Sequence, residues 1–132
     1  ANFHLNQQRF EDFVKLVNKK IKNVRQIFEF RNESWFCEEV YNILKKYNFS
    51  LCIAHSSHWP LKEVVTSDYI YIRFHGGEVL YGSKYSDKEL KFWADKARDW
   101  VKKKKDIYAF FNNDAYGFAV KNALRFKELI EK

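Results

Sequence analysis

Apolar positions along this chain follow two rhythms. Four short, dense apolar runs at 27–31, 51–54, 69–74 and 107–111 read as strands. Between them apolar residues recur every three or four positions, the helical period. Asn6 caps a first helix carrying Phe10, Phe13, Val14 and Val17, which ends over 19–23. Ser34 is expected to cap a second, with Glu38 and Glu39 in its first turn and a stripe of Phe36, Val40, Leu44 and Tyr47 that stops at Asn48. The stretch 55–66 is irregular around Trp59-Pro60, with a short helix expected at 61–65. Segment 69–74 is β-branched and aromatic, hence strand, and 75–85 is a loop holding three of the four glycines. Ser86 and Glu89 form a capping box that opens a helix with Leu90, Trp93, Ala94, Ala97, Trp100 and Val101 on one face. A last helix presents Ala119, Val120, Ala123, Leu124 and Ile130.

Strand and helix units repeating every 20 to 35 residues imply an α/β fold, a parallel sheet of (β/α) units. Each apolar run passes directly into a polar cluster: IFEFRNESW, LCIAHSSHW, YIYIRFHGG and IYAFFNNDAYG. The carboxyl ends of parallel strands are where such folds build sites. Alternation along a strand places Phe28 and Phe30 on one face, and Glu29 and Arg31 on the other. In the same way Ile70, Ile72 and Phe74 oppose Tyr71, Arg73 and His75. One face therefore suits helix packing, and the other carries charge near its end.

Glu29, Arg31, Arg73 and His75 must pair on that face, because unpaired burial of charge is costly. They form either a buried ion-pair network or an anion site. In the second case Arg31 and Arg73 hold the charge, and Glu29 or His75 serves as acid or base. Gly76 and Gly77 let backbone approach an anion, or mark only a tight turn. Asn112 shares a face with Tyr108 and Phe110 and points its amide at a ligand, while Asn113 and Asp114 fit helix capping equally well. Trp35, Trp59 and Tyr116 lie beyond strand ends, as core under loops or as a stacking wall. His55, His58 and His75 lack the spacing of a zinc site, and Ser56 and Ser57 lack a nucleophile elbow. No cofactor or metal is expected.

At 132 residues the chain makes one domain, with 19% aromatic residues to fill a core. No apolar run is long enough for a membrane span, and no signal peptide is visible. Cys37 and Cys52 have neither metal nor redox spacing, which suits small core residues in the cytoplasm. The net charge of +7 makes a solvated lysine surface or a polyanion-binding one. Met is absent even at position 1, so the start shown is processed or cut.

The segments EFRNESWF, LCIAHSSHWP, DYIYIRFHG, YSDKELKFWA and YAFFNNDAYGFAVKNALRFKEL resemble the DUF72, or YecE-like, family over nearly the whole chain. The resemblance implies a TIM-type barrel, of which residues 1–132 would be a single C-terminal half-barrel domain of about four strands. It places the family's recurring polar positions at Glu29, Arg31, Trp35, Arg73, His75, Gly76, Asn112, Asn113 and Asp114. Asn32 stands where the family commonly has His, and His55 where it has Asp. A half-barrel leaves two strand edges and an inner face open. The expected partner is thus a second half, whether the chain is a fragment, a split-gene product or a self-pairing half. Three functions follow: a small-molecule anion site with no reaction assigned, a nucleic-acid surface built on the basic charge, or a non-catalytic half that associates with another.

Overall fold

In a computed structural model, which describes residues 2–131, four parallel strands stand side by side in chain order. Helix α1 (Gln7–Lys20) leads to β1 (Ile27–Phe28), then α2 (Glu38–Lys46), β2 (Ser50–His55), β3 (Tyr69–Phe74), α3 (Asp87–Lys102), β4 (Asp106–Phe111) and α4 (Phe118–Ile130). Single 3-10 turns precede α2 (Glu33–Trp35) and α4 (Ala115–Gly117). The sheet order is β1-β2-β3-β4, all pairs parallel. Register sets Ala54 beside Arg73 and Arg73 beside Phe110. This is an α/β fold of the kind that makes up an arc of a TIM-type barrel.

Local chemistry sets most boundaries. The Asn6 side chain accepts from Arg9 N at the start of α1. The Ser86–Glu89 box closes in both directions at the start of α3. Asn48 ends α2 at φ +54, a left-handed conformation that Asn tolerates. Its amide then exchanges two hydrogen bonds with Asp68, tying the start of β2 to the start of β3.

Several expectations need correction. Ser34 does not cap α2: its hydroxyl accepts from Leu5 N, Asn32 caps the 3-10 turn, and Cys37 stands at the N-cap of α2. No helix forms at 61–65. Val64, Val65 and Thr66 are β-branched, and the Thr66 hydroxyl donates to Phe49 O and accepts from Leu51 N, which fastens this stretch beside β2. The first strand pairs through Ile27 and Phe28 alone, shorter than the 27–31 expected. Asp114 makes no capping bond, and Gly117 at φ +69 precedes α4 instead. On α4, Val120 and Leu124 are exposed while Asn122 and Phe126 are buried. Asn122 sets this rotation: its amide bonds both Tyr85 N and Tyr85 O, and it accepts from the Asn113 amide.

Two apolar clusters cover one face of the sheet. Phe10, Val14, Trp35, Val40, Leu44 and Leu51 join α1 and α2 to the first two strands. Ile53, Ile70, Ile72, Phe74, Trp93 and Phe126 join α3 and α4 to the rest. Helices pack on this outer face because its strand residues are apolar at every second position. On the inner face Tyr108 and Phe110 remain 40% and 46% exposed. Arg25 crosses the lower end of that face over the rings of Tyr69 and Tyr108 to pair with Asp106.

Candidate functional site

The inner face carries its charge at the carboxyl ends of the strands. Glu29, one residue past β1, divides its carboxylate between two arginines: Oε1 accepts from Arg31 Nε at 3.0 Å and Oε2 from Arg73 Nη1 at 2.7 Å. Arg73 Nε donates to Asn112 Oδ1 at 3.1 Å, so three strand ends meet through one guanidinium. The loop after β2 adds Trp59, whose ring lies 4.0 Å from Arg31 Cζ. His75, fully buried, meets Trp59 and Tyr81 edge-on, with ring centroids 5.0 and 5.5 Å apart. Its Nε2 stands 3.6 Å from Glu29 Oε1, too far for a hydrogen bond but close enough for strong electrostatic influence.

Beside this cluster lies an open cavity of about 310 Å³. Glu29, Cys52, Arg73 and Asn112 form its polar wall, and Ile27, Tyr71 and Phe110 its apolar floor. Tyr71 and Phe110 stack at 4.9 Å, which fixes that floor.

The charge states follow from the neighbours. Burial alone would raise the Glu29 pKa, but hydrogen bonds from Arg73 and Arg31 outweigh it and hold the carboxylate below its usual range. Burial pushes His75 down most and Arg73 next; Glu29 pulls it up and Arg31 pushes it down again, and the net effect is below its ordinary 6.5, so the imidazole is neutral near pH 7. Burial and the Glu29 charge hold the Cys52 thiol protonated. Both cysteines are free.

Glu29, Arg31, Arg73, His75 and Asn112 therefore converge, as their strand positions imply. The remaining candidates sit elsewhere. Trp35 is buried on the outer side, stacked on Phe30 at 4.4 Å and donating its Nε1–H to Phe3 O. Asn113 is buried beneath the loop at Ser83. Asp114 is exposed in the turn before α4. Gly76 adopts φ +99, and a Cβ there would lie 2.3 Å from Val79 O. Its N–H donates to the Tyr85 hydroxyl, which also bonds His55 Nδ1, so Gly76 holds the loop rather than offering a free donor. His55 and His75 face opposite sides: His55 packs on Phe74 and Trp93 in the outer core. Among the described residues no group of three or more His, Cys, Asp or Glu could hold a metal. Sequence reasoning missed Tyr81 and Cys52 as parts of this site. Cys52 was legible from its register opposite Tyr71; for Tyr81, inside a loop, no periodic signal existed.

Comparison with known proteins agrees with this architecture. The family profile described as "Protein of unknown function DUF72" matches residues 1–132. UPF0759 protein YunF of Bacillus subtilis is 27% identical over 128 residues, covering 78% of this chain and 45% of that one. The crystal structure of a DUF72 family protein from Thermotoga maritima superposes with a TM-score of 0.83 at 28% identity, over 99% of this chain and 55% of the other. A DUF72 family protein from Enterococcus faecalis gives 0.84 at 19% identity, over 99% and 56%, a likeness of fold. The chain thus spans about half the length of the relatives it matches. No helix among the described residues is long and apolar enough to cross a membrane.

Proposed function

The chain belongs to the DUF72 family of proteins of unknown function, and we propose that it binds a small oxyanion, a phosphate or a carboxylate, at the carboxyl ends of its strands. The observation that carries this reading is the sharing of one carboxylate, Glu29, between two guanidiniums, of which Arg73 lines an open cavity together with Glu29 and Asn112. One negative charge against two positive ones leaves the cluster cationic. Glu29 occupies only Nε of Arg31 and Nη1 of Arg73. Among the described residues, both Nη groups of Arg31 and Nη2 of Arg73 hold no hydrogen bond. The two free Nη groups of Arg31 match an oxyanion in two-point geometry, and Nη2 of Arg73 adds a further donor. Trp59 stacks on Arg31 and Asn112 anchors Arg73, so both guanidiniums are positioned before a ligand arrives.

Calorimetric titration with inorganic phosphate, sulfate and a panel of phosphorylated metabolites tests the assignment, comparing the native chain with Arg73→Ala. A loss of at least about tenfold in affinity, roughly 1.4 kcal/mol, is expected for the variant. Unchanged binding of every hit would remove Arg73 from the site.

A second reading rests on a different observation. The inner face exposes Tyr108 and Phe110, and among the described residues the outer strands β1 and β4 each leave an edge unpaired in the sheet. This favours association with a second (β/α) half that covers the face and pairs the edges. Light scattering after size exclusion tests it, and a well-folded monomer at micromolar concentration overturns it. A nucleic-acid surface has weaker support: the lysines are spread over all four helices, and Trp35 is buried.

A further inference from the structure

His75 is a fully buried residue of the site with both ring nitrogens left without a hydrogen bond among the described residues. A buried polar group left this way is costly, so its retention calls for a role. The groups around it come from every neighbouring element. Glu29 and Arg31 follow β1, Arg73 lies on β3, Trp59 belongs to the loop after β2, and Tyr81 to the loop after β3. Trp59 and Tyr81 are ring walls that shield the imidazole from water. Its electrostatic surroundings are therefore the two guanidiniums, which disfavour a charged imidazole, and one carboxylate 3.6 Å away, which favours it.

We propose that His75 is the proton-carrying partner of the anion site: neutral in the ligand-free protein, it takes up one proton from solvent when a doubly charged oxyanion engages Arg31 and Arg73. The inference rests on the anion reading above. Glu29 with the two arginines leaves one net positive charge beside the imidazole. A dianion on the same guanidiniums turns that into one net negative charge. In a shielded setting such a reversal decides the protonation state, because charges a few ångströms apart interact far more strongly there than in water. The proton goes onto the free imidazole nitrogen, no bond other than N–H forms, and the second ring nitrogen keeps its hydrogen. The cation then faces Glu29, whose Oε1 stands 3.6 Å from Nε2.

Sulfate is the suitable probe, since it keeps two charges through the neutral range and contributes no proton of its own. Calorimetry in two buffers of different ionisation enthalpy should show uptake of about one proton per sulfate bound. Affinity should rise about tenfold per unit as pH falls from about 8 to about 7, the slope required by one linked proton. Nitrogen NMR of the native chain should show a neutral His75 ring near pH 7 that becomes an imidazolium with saturating sulfate. His75→Gln should bind sulfate without proton uptake, and the NMR arm needs no variant if that substitution impairs folding. Sulfate bound with no proton uptake, or a His75 ring already charged without it, overturns this inference and leaves the anion site standing. Sulfate that fails to bind at every pH overturns both.

Discussion

The two faces of the sheet use the same strands and meet different fates. On β3, Ile70, Ile72 and Phe74 are sealed under α3 and α4, whereas Tyr71 and Arg73, in alternate positions, lie on the cavity wall. On β4, Phe111 stacks on Phe74 within the helix-covered core, while Phe110 next to it is 46% exposed. The outer face is completed by helices adjacent in sequence, so local crossovers suffice to bury it. Among the described residues the inner face has no such neighbour. Its charged end is tied together across three strand ends, and its aromatic floor stays open. Burial on one face and chemistry on the other are thus consequences of one alternating pattern.

The sharpest way to break this comparison is to truncate an aromatic on each face. Trp93→Ala, in the outer core, should cost about 3–5 kcal/mol in urea denaturation. Phe110→Ala, on the inner face, should cost less than about 1 kcal/mol, as surface changes usually do. Equal losses would mean that the inner face is also buried in solution, which is the outcome the associating-half reading requires. Next in size is Gly76→Ala, expected to cost about 1–3 kcal/mol because the residue sits at φ +99 with Val79 O in the way. A variant as stable as the native chain would show that the loop covering His75 relaxes freely. Glu29→Gln should weaken stability by about 1 kcal/mol, since it removes one charged acceptor from two half-exposed arginines. It should also tighten sulfate binding by roughly tenfold, as the competing carboxylate is gone. Weaker sulfate binding would show that Glu29 positions the arginines more than it competes with the ligand.

The smallest expected effect is that of pH on stability. His55 and His75 are held below their ordinary 6.5 by burial, so the unfolded chain binds protons that the folded chain refuses. Stability then falls as pH drops below 6.5, toward the depressed folded values. Glu29 is lowered from its ordinary 4.5, so its contribution is present above 4.5 and is lost as pH falls through its folded value. Both act in the same direction. Denaturation midpoints between about pH 8 and pH 4 should decline monotonically toward acid, and a rise on acidification would contradict the assigned charge states.

The convergence of Glu29, Arg31, Arg73 and Asn112 was legible because strand alternation is strict and all strands run the same way. Trp35 was misleading: it follows a strand end as a site residue would, yet turns to the outer side to stack on Phe30. The stripe on α4 misled for a related reason. Val120 and Leu124 have the right period, but the bonds of Asn122 to Tyr85 set the rotation of the helix. Hydrophobic periodicity locates a face; it does not say which of two competing faces a polar anchor will turn inward.

The amino-acid sequence by itself determined the order of strands and helices, the capping of α1 and α3, and which strand positions share a face, because those depend on neighbours within a few residues. Only the tertiary structure decided that Trp59 and Tyr81 close over His75 while leaving its nitrogens unpartnered. It alone set the division of the Glu29 carboxylate between two guanidiniums from different strands. The Glu29–Arg73 pair joins residues 44 positions apart, and Trp59 and Tyr81 reach His75 through loops whose paths no local period encodes.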